Sequence, residues 1–222
     1  MVFPRVKSIL RSKGYVLHAR PYELNIVGVR TRSTIPNRFD DEIHVFYKSK
    51  PMKWEYHIFK ATTDPGTFWL ENPMQEKGTA ILAQGQYVNA YQIGLHRGKY
   101  EALVQIGAVS IIRDYNRNAK LDFLNGKTET GFFGINIHRA MAQGKTKVID
   151  KFSAGCQVFQ NAEDFAHFME MCGKHRELYG NRFTYTLLDF RAMRRESIKR
   201  MVIGTFTLGL GLIGYINYDT NE

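Results

Sequence analysis

The sequence predicts a mainly β protein with flanking helices, and three observations lead to that class. Short runs of β-branched and aromatic residues recur between Gly, Pro, Asn and Asp, which is the rhythm of strands and tight turns. Helical periodicity is confined to one segment near the start and one late in the chain. Hydrophobic residues make up 44% of the 222 residues, enough for a core that needs no covalent staples. The two cysteines, Cys156 and Cys172, are too few for a disulfide framework or a thiolate zinc site, which leaves them available for chemistry or packing.

Residues 4–13 place Val6, Ile9 and Leu10 on one helical face, with Gly14 as the stop. Strands are expected over 24–29, 43–47, 54–59, 67–70, 102–105, 109–113 and 134–138. Helix returns over 162–178, where Phe165, Phe168, Met169 and Cys172 recur at intervals of three and four behind Asn161 as N-cap. Cys172 therefore reads as a small core hydrophobe. With no internal repeat and no low-complexity linker, residues 22–190 form one unit, preceded by a helical lead-in (1–21) and followed by a basic and hydrophobic tail (191–222).

The tail has a hydrophobic stretch, 201–218, that carries no charge and includes Gly204, Gly209, Gly211 and Gly214. It suits a short membrane segment, close packing in an assembly, or burial in the fold, and the sequence leaves all three open. The first fifteen residues contain no apolar run of signal-peptide length, so standard secretory export is not expected from them.

A formal charge of +10 favours an anionic partner, whether nucleic acid, a lipid surface or a wall polymer. No zinc-finger spacing or RNA-recognition signature accompanies the basic residues, so nucleic acid is not the expected one.

The chemistry concentrates in residues 135–159. His138 closes an apolar strand, and Ser153, Ala154, Gly155 and Cys156 follow a polar loop, so a base and a thiol are offered together. A cysteine attacks as thiolate, and an imidazole within reach takes the proton. Gly155 lets backbone pass close to a substrate carbonyl, and amides around Cys156 suit an oxyanion hole. His96 and Arg97 form a second pair that reads as either a carboxylate holder or a surface turn. Asp114, Asn116, Asn118, Lys120 and Asp122 stand at alternate positions, like the opening of a calcium loop. Gly at the sixth position and an acid at the twelfth are missing, so a polar hairpin is expected, and no metal or cofactor.

His138 with Ser153-Ala154-Gly155-Cys156, and upstream Thr63-Asp64-Pro65-Gly66-Thr67-Phe68, resemble the L,D-transpeptidase (YkuD-like) catalytic domain over residues 40–165. That family has a strand-ending histidine, then Ser/Thr-His-Gly-Cys, with a Thr-Pro-x-Gly-x-Phe turn before both. The chain departs from the pattern at Ala154 in place of His, Arg139 in place of Gly, and Val158 in place of Arg or Asn. The resemblance implies a β-sandwich acting on the peptide stems of peptidoglycan. Cys156 would be the nucleophile, His138 base then acid, and Ser153 an orienting group. Gly155, Gln157, Arg139, His96 and Arg97 would contact substrate. The acceptor, amine or water, separates transpeptidation from hydrolysis. A wall-acting enzyme in a cell envelope or virion, phage-encoded, fits these features; the competing expectation is an inactive wall-binding or structural component of such an assembly.

Overall fold

The computed structural model describes residues 1–123 and 126–191. The hydrophobic stretch 201–218, with the anchor or packing role expected for it, lies outside the described residues. No helix among the described residues is long and apolar enough to cross a membrane.

The first strand, β1 (Asn25–Arg30), is buried at every position, which requires cover on both faces. One face, with Ile26, joins the central core of Val45, Tyr91, Leu103, Ile137 and Tyr185. The other, with Val27 and Val29, is covered by α1 (Phe3–Ser12), whose Val6 and Leu10 reach full burial against Phe46 and Leu188. A proline in the first turn starts this helix and Gly14, at φ +67°, ends it. The expected helical face is thus the docking face, and the lead-in belongs to the same body as the strands.

The remaining strands are β2 (Asp41–Lys50), β3 (Lys53–Thr62), β4 (Thr79–Leu82), β5 (Gly85–His96), β6 (Tyr100–Gln105), β7 (Val109–Asp114), β8 (Thr128–Gly131), β9 (Ile137–Arg139), β10 (Gln157–Phe159) and β11 (Phe183–Asp189). Seven of these join β1 in a closed eight-stranded barrel, in the order β1-β11-β5-β6-β9-β10-β3-β2, and β4-β7-β8 form a second sheet. Mainly β is therefore right, but the barrel differs from the expected sandwich. Closure comes from two parallel pairings, β1 with β11 and β9 with β10, each between segments far apart in the chain or separated by a loop.

Residues 67–70, expected as strand, instead lie in a short helix, α2 (Thr67–Glu71), which follows the extended Gly66. Four residues are too few for β-branched or aromatic content to decide, and local hydrogen bonding prevails. The long helix α3 (Ala162–Tyr179) matches its expectation: the Asn161 side chain accepts from Glu163 N–H, and Phe165, Phe168 and Cys172 are buried. Phe165 packs edge-on and Phe168 at a tilt against Phe159 of β10, so α3 braces the strand that follows the cysteine.

Candidate active site

His138 and Cys156 meet through the parallel pair β9 and β10. Val158 lies opposite His138 and Gln157 opposite Ile137, so Cys156 falls opposite Asn136. Alternate residues share a face, which puts Cys156, Asn136, His138 and Val158 on one side of the pair. The Sγ accepts from Asn136 N–H at 3.4 Å and donates to Gly134 O at 3.5 Å. Among the described residues no hydrogen bond joins Sγ to the His138 ring.

The imidazole of His138 is held by its other nitrogen. Nδ1–H donates to Arg139 O at 2.8 Å, and the Tyr100 hydroxyl, 3.3 Å from Nδ1, donates to the same carbonyl. That bond fixes the tautomer with Nε2 as the basic nitrogen. His96 stacks on His138 with ring centroids 4.1 Å apart, and its Nδ1 accepts from the Asn136 amide at 3.0 Å. Burial, then the His96 neighbour, pushes His138 down to about 3. Burial also pushes the Cys156 thiol up, opposed by the Asn136 N–H and by Arg97. The resting pair is consequently neutral thiol and neutral imidazole.

The turn carrying Cys156 is set by three contacts. Ser153 Oγ donates to Cys156 O at 2.8 Å and accepts from Gly155 N–H at 3.2 Å. Gly155 adopts φ +121°, and a Cβ there would lie 2.2 Å from Ala80 O, so this glycine is required both by conformation and by the wall that β4 presses on it. The upstream turn meets the same loop: Gly66 N–H donates to Ser153 O at 2.9 Å, and Trp69 Nε1 to Lys151 O at 3.1 Å. The two sequence segments that carry the family resemblance are therefore in contact. With Gly155 N–H bonded to Ser153 and Gln157 N–H to Asn136 O, the Cys156 N–H makes no hydrogen bond among the described residues and is available to an incoming oxyanion.

The other expected site residues divide. His96 is brought beside His138, at the turn end of the β5–β6 hairpin. Arg97 (φ +50°), Gly98 (φ +69°) and Lys99 make the turn of that hairpin, so Arg97 takes the surface-turn position while the His96 ring lies against His138. The Arg139 guanidinium lies 4.4 Å over the Tyr100 ring and stays partly exposed. Gln157 is a correction. It is fully buried, its amide donating to Gly155 O and accepting from Tyr185 OH, because the residue after Cys156 points to the opposite face of β10, into the barrel. It supports the turn from behind and has no surface to offer substrate.

Asn136 is the residue the sequence reading missed. All its polar groups are used: N–H to Sγ, Oδ1 from Gln105 N–H, Nδ2 to His96, and O from Gln157 N–H. Its position two before His138 on the same face was the available signal. Gln105 in turn accepts from Phe133 and Ile135 N–H and donates to Gly131 O, holding the segment that presents Gly134 O and Asn136 N to the sulfur. Ala154, where the family has His, opens onto a cavity of about 120 Å³ lined by Gly78, Thr79, Ala80, Arg113 and Phe133.

No family model, curated protein or solved structure matches the chain.

Proposed function

We propose that the chain is a cysteine acyl-transfer enzyme of L,D-transpeptidase type acting on peptidoglycan stem peptides. The observation that carries this reading is the His138 imidazole, its Nδ1 committed to Arg139 O, on the strand paired in parallel beside Cys156. In the reaction, Sγ attacks a substrate carbonyl carbon as its proton passes to His138 Nε2. The carbonyl oxygen takes the negative charge and is met by the Cys156 N–H. Collapse breaks the C–N bond, the departing amine takes the proton from Nε2, and a thioester remains. An amine then gives a cross-link, and water gives a free acid.

Because the resting pair is neutral, proton transfer is coupled to attack and needs the substrate to close the gap between thiol and imidazole. Arg97, at the hairpin tip, and Arg139 supply positive charge for stem carboxylates. The stretch 201–218 would carry the domain to a membrane or an envelope or virion assembly. Sedimentation of the full chain with anionic vesicles, against a chain ending at residue 200, tests that role; equal partitioning removes it.

One observation favours a second reading, a wall-binding component without turnover: thiol and imidazole share no hydrogen bond, and their pKa values are pushed apart. Incubation with purified peptidoglycan and mass spectrometry of the fragments separates the two. New fragments or cross-links lost in Cys156→Ala support the enzyme, whereas sedimentation with sacculi and no product in either protein supports the binder.

A further inference from the structure

The loop between β7 and β8 holds oxygen-bearing side chains at alternate positions around the buried Asp114 carboxylate, one oxygen of which has no hydrogen-bond partner among the described residues. We propose that this loop, residues 114–122, is a calcium site, an inference independent of the acyl-transfer reading.

Asp114, the last residue of β7, is fully buried. Its Oδ2 accepts from Asp122 N–H at 2.9 Å, which turns the carboxylate into the loop, and its Oδ1 has no hydrogen-bond partner among the described residues. A buried carboxylate oxygen without a donor is costly unless a cation supplies the missing charge.

The backbone has the matching form. Calcium loops take ligands from positions 1, 3, 5, 7 and 9, with a left-handed residue at position 6 that glycine usually fills. Here Asp114, Asn116, Asn118, Lys120 O and Asp122 occupy those positions, and Ala119 at the sixth adopts φ +55° without being glycine. Asn116 Oδ1 accepts from Asn118 N–H, Asn118 Oδ1 from Lys120 N–H, and the Asn116 amide reaches Asp122 Oδ2 at 3.5 Å. No trio of His, Cys, Asp and Glu suited to a metal gathers among the described residues. A calcium loop does not require one, since amide and main-chain oxygens complete the shell.

Two carboxylates, with Arg117 and Lys120 exposed nearby, give a weak site. The affinity expected is that of extracellular modules, a Kd of about 10⁻⁴ to 10⁻³ M. The loop is joined to the rest of the fold through Leu121, which packs with Leu70 and Ile81. Ile81 follows Ala80, whose carbonyl abuts Gly155, so the cation would stiffen the sheet that forms one wall of the candidate site.

The test is calorimetric titration of the EDTA-treated full-length protein with calcium chloride, and separately with magnesium chloride. The variants are Asn116→Ala, at an exposed position, and Asp122→Asn, with folding of both checked by circular dichroism. One calcium per chain, bound at least tenfold more weakly in both variants and not replaced by magnesium at the same concentration, is the expected result. No binding up to 10 mM calcium, equal binding of magnesium, or calcium binding unchanged in the two folded variants overturns the assignment.

Discussion

Replacing Gly155 by Ala separates two costs that the structure stacks on one residue. An L residue at φ +121° carries strain on the order of 1–3 kcal/mol. The new Cβ would also stand 2.2 Å from Ala80 O, and since that atom is backbone of β4, relief requires the strand or the cysteine turn to move. Overpacking of that kind costs about 1–3 kcal/mol more. The sum, ~2–6 kcal/mol, is a large part of the ~5–15 kcal/mol that holds a domain together. Urea unfolding of both proteins gives the difference, with an unchanged m value showing that the folded and unfolded states are comparable. Gly98→Ala is the control, because Gly98 has φ +69° with nothing near its Cβ position, so it shows strain without the clash, about 1 kcal/mol. A Gly155→Ala loss no greater than that of Gly98→Ala would refute the claim that β4 and the cysteine turn are in rigid contact.

Three further outcomes follow from the site. His138→Ala should lower turnover on peptidoglycan by about 10² to 10⁴ with the fold retained, and near-normal turnover would move the base elsewhere, first to His96. Iodoacetamide should label Cys156 before Cys172, which is fully buried on α3, and the Cys156 rate should keep rising past the ordinary thiol pKa of 9.0 because burial raises it; a plateau near pH 7 would mean a preformed thiolate. His138 is neutral when folded down to about pH 3 but takes a proton near 6.5 when unfolded, so the unfolded chain binds more protons between those values and stability falls as pH drops through that window. The loss is on the order of 5 kcal/mol at most, and urea unfolding of His138→Asn across that range should show a flatter profile; identical profiles would contradict the burial of the ring.

Much of the site was legible because its geometry is local. His138 and Cys156 lie on neighbouring strands joined by one loop, and the Asn161 cap and the α3 stripe depend only on residues a few positions apart. Gln157 was misplaced although strand alternation alone puts it behind Cys156, on the face that holds Tyr185. Asn136 was missed because an asparagine in an apolar run carries no chemical signature until its four partners are assembled. The barrel itself was not legible. β5 is rich in Gln, Asn and Tyr, and its pairing with β11 depends on contacts about ninety residues away, which no local propensity encodes.

The parallel pairing of β1 with β11 also governs how the protein must reach its native state. Residues 26–30 meet 185–189 in register, and Arg30 pairs with Asp189 across the seam at 3.3 Å. The entropy of closing so long a loop has to be spent before the seam rewards it, so the last closure should be slow, in the millisecond to second range of high-contact-order β proteins. Until residues 183–189 arrive, β1 and β5 both present open edges. A chain cut or stalled before residue 183 would expose two unsatisfied ladders and the apolar interior between them, the form most prone to pair with another copy of itself.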